Sequence, residues 1–242
     1  MDILRFYREY RTRKIKEKHF LIDFYKDLEA FNLIATELQQ AKVENLYPCL
    51  FDKTAFTEIE PIYFLQDAWA FEKIFRNNPI SHVDVGSHHK FVAFLSKVVD
   101  TTMVDIRPFS VEMPSIKFKK GSILEMPFED KQIDSLSSLC VIEHIGLGRY
   151  GDILDPKGSE KAIIEITRVL KPGAHFYFSV PVSDKNVVAF NAGRIFSQDY
   201  LAEILEDYII NEKKFINGSC LQMEMTPNNR FGCTILLDLI KK

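Results

Sequence analysis

The sequence has no long apolar run and no leader-type N-terminus. No stretch approaches the roughly 20 apolar residues that a membrane-spanning helix needs. The first residues carry several charges and are not followed by an apolar core, so we expect no signal peptide. Together these absences predict a cytoplasmic protein.

Cysteine is scarce, and it is not arranged for metal binding. Four cysteines are scattered along the chain, at Cys49, Cys140, Cys220 and Cys233. They form no CxxC pair, so free thiols in a reducing compartment are expected. His88 and His89 are adjacent, but no further His, Cys or acid stands beside them at ligand spacing, and no metal site is predicted.

The chain also lacks the signatures of two ligand classes. Its net charge of −3 argues against nucleic acid as a partner. The segment GSHHKF has a single glycine, Gly86, where the dinucleotide fingerprint GxGxxG needs more. The Tyr-x-x-x-Lys spacing of short-chain reductases occurs only at Tyr10 and Lys14, in the N-terminal helix. Hydride transfer is therefore not expected.

The chain contains a helical first part and an α/β second part. Residues 1–65 show helical periodicity without alternating strands, which predicts a helical N-terminal extension. From Ile80 onwards short strands alternate with helices, a pattern typical of a mostly parallel sheet with helices on both faces. YIINEKKFI and RFGCTILLDLI have no helix between them and predict an antiparallel C-terminal hairpin. The α/β domain is assigned to residues 66–242.

Small and acidic residues stand at the ends of three successive predicted strands. Gly86 follows the first strand, two residues after Asp84, while Asp105 ends the second and Ser122 follows the third. Ligands of open α/β sheets bind at the carboxyl ends of the strands. There a glycine lets the backbone approach a ligand, and a carboxylate can bind both ribose hydroxyls. The series indicates a nucleoside-type cofactor.

Several segments, in this order, resemble the motifs of class I S-adenosylmethionine-dependent methyltransferases. They are HVDVGS, MVDIRP, GSILEMPFEDKQIDSLSSLCVIEHI, RVLKPGAHFYFSVPV and RIFSQDYLAEIL, which together span roughly residues 80–240. GLGRYGDILDP and FNAGRIF are more specifically similar to an uncharacterised methyltransferase-like family known as a domain of unknown function. The resemblance implies a Rossmann-like domain that binds S-adenosylmethionine. This chain departs from the superfamily in having Gly86, Ser87 and His88 in place of GxGxG.

The resemblance also assigns residues to the parts of the cofactor. The implied contacts are Asp84, Gly86 and Ser87 at the methionine end, Asp105 and Ile106 at the ribose, Ser122 and Ile123 at the adenine, and Leu139 and Cys140 beside the sulfonium. The family is further expected to have a histidine where this chain has Gly193.

The segment EHIGLGRYGD, after the fourth strand, is the most informative about chemistry. Glu143 and His144 stand beside the expected position of the transferred methyl group. Histidine has a pKa suited to removing a proton from an acceptor, so His144 is predicted as the general base, with Glu143 orienting it or acting instead. The open alternative is that both residues only anchor the loop to neighbouring backbone.

An acceptor pocket is predicted around the same loop. Gly146, Gly148 and Gly151 indicate a tight turn that presents side chains to a substrate. The predicted substrate contacts are Arg149, Tyr150 and Asp152 in this loop, and Asn191 and Arg194 after the fifth strand. For Arg194 a structural ion pair with an acid such as Asp152 is equally open.

The predicted reaction is methyl transfer from S-adenosylmethionine to an oxygen or nitrogen of a small polar acceptor. A sugar or glycan is the favoured acceptor class, because arginine, tyrosine and acids surround the proposed pocket. The alternative is a non-catalytic binding or interaction module that keeps the methyltransferase fold, which the thinned glycine loop favours.

The N-terminal helix combines basic and apolar residues. Seven basic residues lie between Arg5 and Lys18, and Ile3, Phe6, Tyr7 and Tyr10 form an apolar stripe on one helical face. Such a helix either rests weakly on an anionic membrane surface or packs within the protein with a solvated basic face.

Vesicle flotation at two salt concentrations separates these alternatives. Each basic residue near an anionic surface contributes at most about 1 kcal/mol, and 0.1 M salt screens that attraction within roughly 10 Å. If the helix contacts membranes, the full-length protein floats with anionic vesicles at low salt and stays at the bottom of the gradient at high salt. Absence of flotation at low salt contradicts membrane contact.

Overall fold

The computed structural model describes the backbone of residues 3–225 and 233–242, and the side chains of residues 11, 12, 14–225 and 233–242. The chain forms two compact units, residues 1–59 and 60–242. The predicted apolar stripe and three of the basic residues of the N-terminal helix lie outside the described side chains. Within the described part of the chain, no helix combines the length and apolar character required to cross a bilayer.

The first unit is one long helix and a segment that folds back along it. Helix α1 spans Ile3–Ile34. Asn32 fixes the reversal, because its side chain donates to the carbonyl of Ala41 at 3.1 Å and accepts from the amide of Ala41 at 2.8 Å. Further along, the ring of Phe51 meets the ring of Phe20 edge-on, with centroids 5.6 Å apart. These contacts hold the returning segment against the helix.

The second unit alternates helices with strands. Its helices are α2 (Pro61–Asn77), α3 (His89–Leu95), α4 (Gly158–Val169) and α5 (Gln198–Ile204). Its strands are β1 (Ser81–Val85), β2 (Asp100–Asp105), β3 (Ile116–Lys120), β4 (Ile133–Leu139), β5 (Leu170–Ser183), β6 (Val187–Ala189), β7 (Gly193–Ser197), β8 (Tyr208–Asn217), β9 (Cys220–Gln222) and β10 (Cys233–Lys241). Short 3-10 turns occur at Val43–Asn45, in the first unit, and at Ile142–His144.

The described strands form one sheet in the order β3-β2-β1-β4-β5-β10-β8-β9, with β7 beside β5 and β6 beside β7. Strands β1 to β5 run parallel. Strand β10 runs antiparallel to both β5 and β8. The strand order reverses between β1 and β4, and such a reversal opens a crevice at the carboxyl ends of the strands. The predicted α/β class, with a Rossmann-like sheet and antiparallel C-terminal strands, is confirmed.

Helices cover both faces of the sheet, and β5 contributes alternate residues to the two cores. Trp69 of α2, Leu95 of α3 and Tyr177 of β5 lie in one buried cluster. Ile166 of α4 and Phe178 of β5 lie in the other. Because successive strand residues point to opposite faces, a strand buried on both sides becomes a continuous apolar run.

Helix α2 is fixed at its start and across the sheet. The Glu60 carboxylate accepts a hydrogen bond from the Tyr63 amide at 2.6 Å, which caps the first turn. Near the other end, Trp69 Nε1 and Lys73 Nζ donate to Glu212 on β8 at 2.8 and 2.7 Å. The helix therefore belongs to the second unit and packs against α3 and the strands β4, β8 and β10.

Candidate functional site

The loop after β1 is tightly constrained at Gly86. Its φ is +68°, and an added Cβ would lie 3.1 Å from Val141 Cγ1, so this position favours glycine on both counts. The Gly86 amide donates to the Val104 carbonyl at 3.1 Å, which ties the loop to β2. The Asp105 carboxylate faces the same point, with Oδ2 4.0 Å from the Cβ position. The loop thus presents bare backbone opposite a carboxylate.

Asp84 and Ser87 hold this loop from inside the protein. Asp84 is buried, and its carboxylate accepts from the Ser87 amide at 3.1 Å and from Ser137 Oγ at 2.6 Å. The Ser87 hydroxyl in turn accepts from the Leu139 amide at 3.0 Å. Burial raises the pKa of Asp84 to about 6. These bonds join the ends of β1 and β4 beneath the loop.

A cavity of about 770 Å³ opens at the carboxyl ends of the parallel strands. Small-molecule sites usually measure roughly 300–1,000 Å³. The predicted cofactor contacts that line the cavity are Gly86, Ser87, Asp105, Ile106, Ser122, Ile123, Leu139 and Cys140. Of the residues predicted for chemistry or acceptor binding, those that line it are His144, Tyr150 and Asp152. The predicted residues that do not line it are Asp84, Glu143, Arg149, Asn191 and Arg194.

Asp105 and Ser122 stand on the β2 and β3 side of the cavity. Asp105 Oδ1 accepts from the Arg107 amide at 2.8 Å, which fixes the carboxylate at the cavity wall. Ser122 Oγ accepts from the Leu124 amide at 3.1 Å and stabilises the turn after β3. Ile106 adds apolar surface to the cavity wall. A fixed carboxylate beside an apolar slot suits a ribose and a planar base.

Glu143 and His144 follow β4 in the 3-10 turn. Their side chains are 3.7 Å apart, between His144 Nε2 and Glu143 Oε1, which is too far for a hydrogen bond. Burial raises the pKa of Glu143 to about 8, and its buried Oε2 has no partner. Burial and the charge of Arg149 lower the pKa of His144 to about 4. At neutral pH both groups are therefore uncharged.

Gly193 packs directly against this pair. A Cβ at Gly193 would lie 3.3 Å from the His144 ring and 3.4 Å from Glu143 Cγ. The expected family histidine at this position would crowd both side chains. Glycine at position 193 thus leaves room for the side chains of His144 and Glu143 where they now lie.

The loop after the 3-10 turn is organised by Asp152. Its carboxylate accepts from the amides of Gly146 at 2.6 Å, Gly148 at 3.3 Å and Tyr150 at 3.3 Å. Burial alone would raise the pKa of Asp152. The hydrogen bonds to its carboxylate outweigh burial, so the pKa of Asp152 lies below its usual value. Asp152 lines the cavity, but its carboxylate oxygens are occupied by backbone amides of its own loop. Its hydrogen bonds therefore stabilise the loop.

Gly146→Ala is expected to destabilise the protein far more than Gly151→Ala. Both glycines have positive φ, +81° and +88°, but an added Cβ at Gly146 would lie 2.0 Å from the Asp155 carbonyl oxygen, whereas at Gly151 it would meet nothing within 4 Å. Backbone strain alone amounts to roughly 1–2 kcal/mol, and forced displacement of packed atoms adds about 1–3 kcal/mol. Chemical denaturation of the two variants measures the difference. Equal losses of unfolding free energy contradict this description of the loop.

Tyr150 stands between two arginines at the cavity. The guanidinium of Arg107 lies 4.5 Å from the centre of the Tyr150 ring, and that of Arg149 lies 5.1 Å from it. Arg149 itself donates to the Ala192 carbonyl at 2.6 Å and stays off the cavity wall. The Arg107–Tyr150 contact joins the segment after β2 to the loop after β4, and both residues line the cavity.

Arg194 and Asn191 are not brought to the cavity. Arg194 is buried and donates to the carbonyls of Ile145, Asp155 and Pro156. It thereby ties the start of β7 to the loop before α4 through backbone oxygens, and it forms no ion pair with Asp152. Asn191 is exposed and does not line the cavity.

Sequence reasoning missed the contribution of α2 to the cavity. Tyr63 lines it from the first turn of α2, and its ring lies 5.0 Å from the ring of His88. Gln66, one turn later, is fully buried and accepts from Cys140 Sγ at 3.2 Å and Ser179 Oγ at 2.9 Å. A glutamine among the apolar residues of a helix face was the available signal, since buried amides need partners.

The architecture is shared with solved methyltransferase structures. The N-methyltransferase NodS from Bradyrhizobium japonicum WM9, in complex with S-adenosyl-L-homocysteine, is similar with a TM-score of 0.53 at 15% identity, over 90% of this chain and 97% of that chain. Another NodS structure gives a TM-score of 0.54 at 13% identity, over 75% of this chain and 97% of that chain. The chain therefore has the class I S-adenosylmethionine-dependent methyltransferase fold, as the sequence motifs predicted.

The sequence also matches a family directly. The profile of DUF268, described as a Caenorhabditis protein of unknown function, matches residues 95–227, more than half of the chain. The protein belongs to this family. The predicted membership of a family defined as a domain of unknown function is confirmed. Among curated proteins, none matches the sequence.

Proposed function

We propose that this protein is an S-adenosylmethionine-dependent methyltransferase. The observation that carries the proposal is the order of side chains around one cavity. Gly86, Asp105 and Ser122, from the ends of three neighbouring parallel strands, all line a space of about 770 Å³ at the reversal of strand order. That is where open α/β sheets bind nucleotide-like ligands.

The residues present fit such a cofactor. A Cβ at position 86 would occupy the space beside the loop backbone, so a ligand can approach this backbone closely only when the residue is glycine. Asp105 would bind the ribose hydroxyls, and Ser122 with Ile123 would border the adenine. Leu139 and Cys140 would flank the sulfur at the end of β4. Ser87 and the buried Asp84 would keep the loop in place. When bound, S-adenosylmethionine supplies an electrophilic methyl group.

His144 is the proposed general base for the acceptor. It lines the same cavity as Cys140, and it is neutral at pH 7 because burial and Arg149 lower its pKa to about 4. A neutral imidazole can take a proton from the hydroxyl or amine group of the acceptor as that group attacks the methyl carbon. Glu143 is uncharged at the same pH, because burial raises its pKa to about 8. Its carboxyl group lies 3.7 Å from His144 Nε2 and does not line the cavity, so its proposed role is to help orient His144.

The proposed acceptor is a small polar molecule methylated on oxygen or nitrogen, with a sugar or glycan as the favoured class. Tyr63 and Tyr150 offer aromatic surface at the cavity, on which the apolar face of a sugar ring can pack. The guanidinium of Arg107 lies over the Tyr150 ring and offers hydrogen-bond donors to a polar acceptor.

Methyl transfer is tested with methyl-labelled S-adenosylmethionine and a panel of nucleotide-sugars, glycan fragments and small amines. Label should move to at least one acceptor, at a rate that depends on His144. Binding of S-adenosylhomocysteine without label transfer to any acceptor would favour the non-catalytic module instead. Absence of cofactor binding would contradict the proposed function altogether.

A further inference from the structure

The first unit has little interior of its own. Of the side chains that the structure describes between residues 11 and 59, none is buried. Bulky apolar side chains of α1 are exposed instead, among them Leu21 and Phe31, with exposed fractions of 37% and 50%. A helix in a protein is stabilised mostly by packing of its apolar face, and an exposed apolar surface marks an interaction site. Helix α1 therefore presents a surface suited to a partner.

The apolar residues of α1 follow a heptad series, with alternating spacings of three and four. The positions of this series, called the seam below, are Ile3, Tyr7, Tyr10, Lys14, Glu17, Leu21, Phe24, Leu28 and Phe31. The seam spans four heptads, and seven of its nine positions are apolar. An apolar heptad series sustained over about three to four heptads is typical of a helix that pairs with another helix.

The returning segment does not close the seam. Phe51 of that segment meets Phe20, which stands beside the seam. Leu21 and Phe31 are exposed, and Phe24 is partly exposed. A second helix can therefore reach the C-terminal half of the seam.

The charge of α1 changes sign along its length. Seven basic residues lie between Arg5 and Lys18. Between residues 19 and 34, three acidic residues outnumber one lysine. Two copies of α1 in parallel would place basic half against basic half, whereas an antiparallel pair places each basic half beside an acidic half. Charge complementarity therefore favours the antiparallel pair.

An antiparallel pair also matches the two charged positions of the seam. Lys14 Nζ lies 3.4 Å from Glu17 Oε2 of the same helix, and the two side chains are 60% and 43% exposed. A register that places Lys14 opposite Glu17 of the second copy repeats this contact through two-fold symmetry. In the same register apolar positions fall opposite apolar positions, as Tyr10 does opposite Leu21. Polar residues in an apolar seam fix the register of helix pairs.

We propose that α1 is a dimerisation element that pairs antiparallel with α1 of a second copy of this chain along the seam. The apolar positions supply the affinity, the Lys14–Glu17 contacts set the register, and the unlike halves set the direction. This pairing is independent of the proposed enzymatic function.

Light scattering coupled to size-exclusion chromatography tests the pairing on the full-length protein over a range of concentrations. A dimer that dissociates on dilution is expected. Lys14→Glu and Glu17→Lys should each raise the dimer dissociation constant about tenfold or more, because each creates two like-charge contacts. An equimolar mixture of the two variants should recover dimers, since a mixed pair places Glu against Lys at both contacts. Mixing cannot repair the ion pair within one helix, so recovery reports contact between copies.

Lys26→Glu is the matched control. Lys26 Nζ lies 3.6 Å from Asp23 Oδ1, three residues earlier on the same helix, and both side chains are exposed. Neither residue belongs to the seam. The control loses an ion pair of the same kind, and it should dimerise as the wild-type protein does.

Three results would overturn the inference. They are a monomeric wild-type protein, seam variants that dimerise as tightly as the control, and a mixture that dimerises no better than either variant alone. A monomeric protein that floats with anionic vesicles would assign α1 to a membrane surface instead. The substituted side chains of Lys14 and Glu17 are largely exposed, so circular dichroism should show unchanged folding in both variants.

Discussion

His144→Ala is expected to lower kcat by about a hundredfold or more while changing the affinity for S-adenosylhomocysteine by no more than about twofold. The reason is positional. His144 lines the cavity, and no cofactor group is assigned to it. Removing the imidazole deletes the proposed base but none of the proposed cofactor contacts. Turnover with an acceptor that the enzyme methylates measures kcat, and calorimetric titration measures the affinity for S-adenosylhomocysteine.

The pH dependence of kcat/KM distinguishes His144 from Glu143 as the base. A general base works only when deprotonated, so kcat/KM falls as the pH drops through the pKa of that base in the free enzyme. Burial and Arg149 lower the pKa of His144 to about 4. If His144 is the base, kcat/KM therefore does not change with pH around neutrality. With Glu143, whose pKa burial raises to about 8, kcat/KM would climb about tenfold per pH unit towards that value.

We expect the level profile, and we expect Glu143→Gln to preserve it. A structural role for His144 makes a different prediction. The ring contacts Tyr150 edge-on, with centroids 5.7 Å apart, and its Nδ1 is 3.3 Å from Arg149. If those contacts are its only task, His144→Ala lowers the free energy of unfolding and the rate in parallel, and the shape of the pH profile does not change.

Asp105→Ala is expected to weaken cofactor binding by about 30–150-fold, which corresponds to losing about 2–3 kcal/mol from a charge-assisted pair of hydrogen bonds. The carboxylate stands at the end of β2 on the cavity wall, opposite Gly86. Its Oδ1 also accepts from the Arg107 amide, so circular dichroism and thermal unfolding should accompany the titration.

Asp100→Ala is the matched control for this prediction. Asp100 begins the same strand that Asp105 ends, and its exposed carboxylate pairs with Lys117 at 2.6 Å. We expect unchanged cofactor affinity for the control. If Asp105→Ala binds S-adenosylhomocysteine as tightly as the control does, Asp105 is not part of the cofactor site.

The strand-end residues could be located from the sequence because the geometry of a parallel sheet is regular. Once the alternation of strands and helices is identified, the carboxyl ends of β1, β2 and β3 must meet at one edge. Gly86, Asp105 and Ser122 follow those strands, and all three line the same cavity. The antiparallel C-terminal strands were predictable for a similar reason, since consecutive strands without an intervening helix pair as neighbours.

Other parts of the site could not be predicted because they depend on contacts distant in sequence. The partners of Arg194 are three backbone carbonyls, and a carbonyl leaves no trace in the residue types. Gln66 contacts Cys140 and Ser179 across the sheet, and nothing in the sequence of the helix identifies those two partners. Tyr63 was included in the predicted extension ending at residue 65, whereas the second compact unit begins at Glu60.

The most direct measurement of the central claim is a crystal structure of the protein with S-adenosylhomocysteine. The account predicts adenosine in the cavity, with the ribose hydroxyls bound by Asp105, the base beside Ser122 and Ile123, and the sulfur near Leu139 and Cys140. His144 would then face the open position next to the sulfur. A ligand bound elsewhere on the protein, or a cavity without ligand at saturating concentration, would contradict the account.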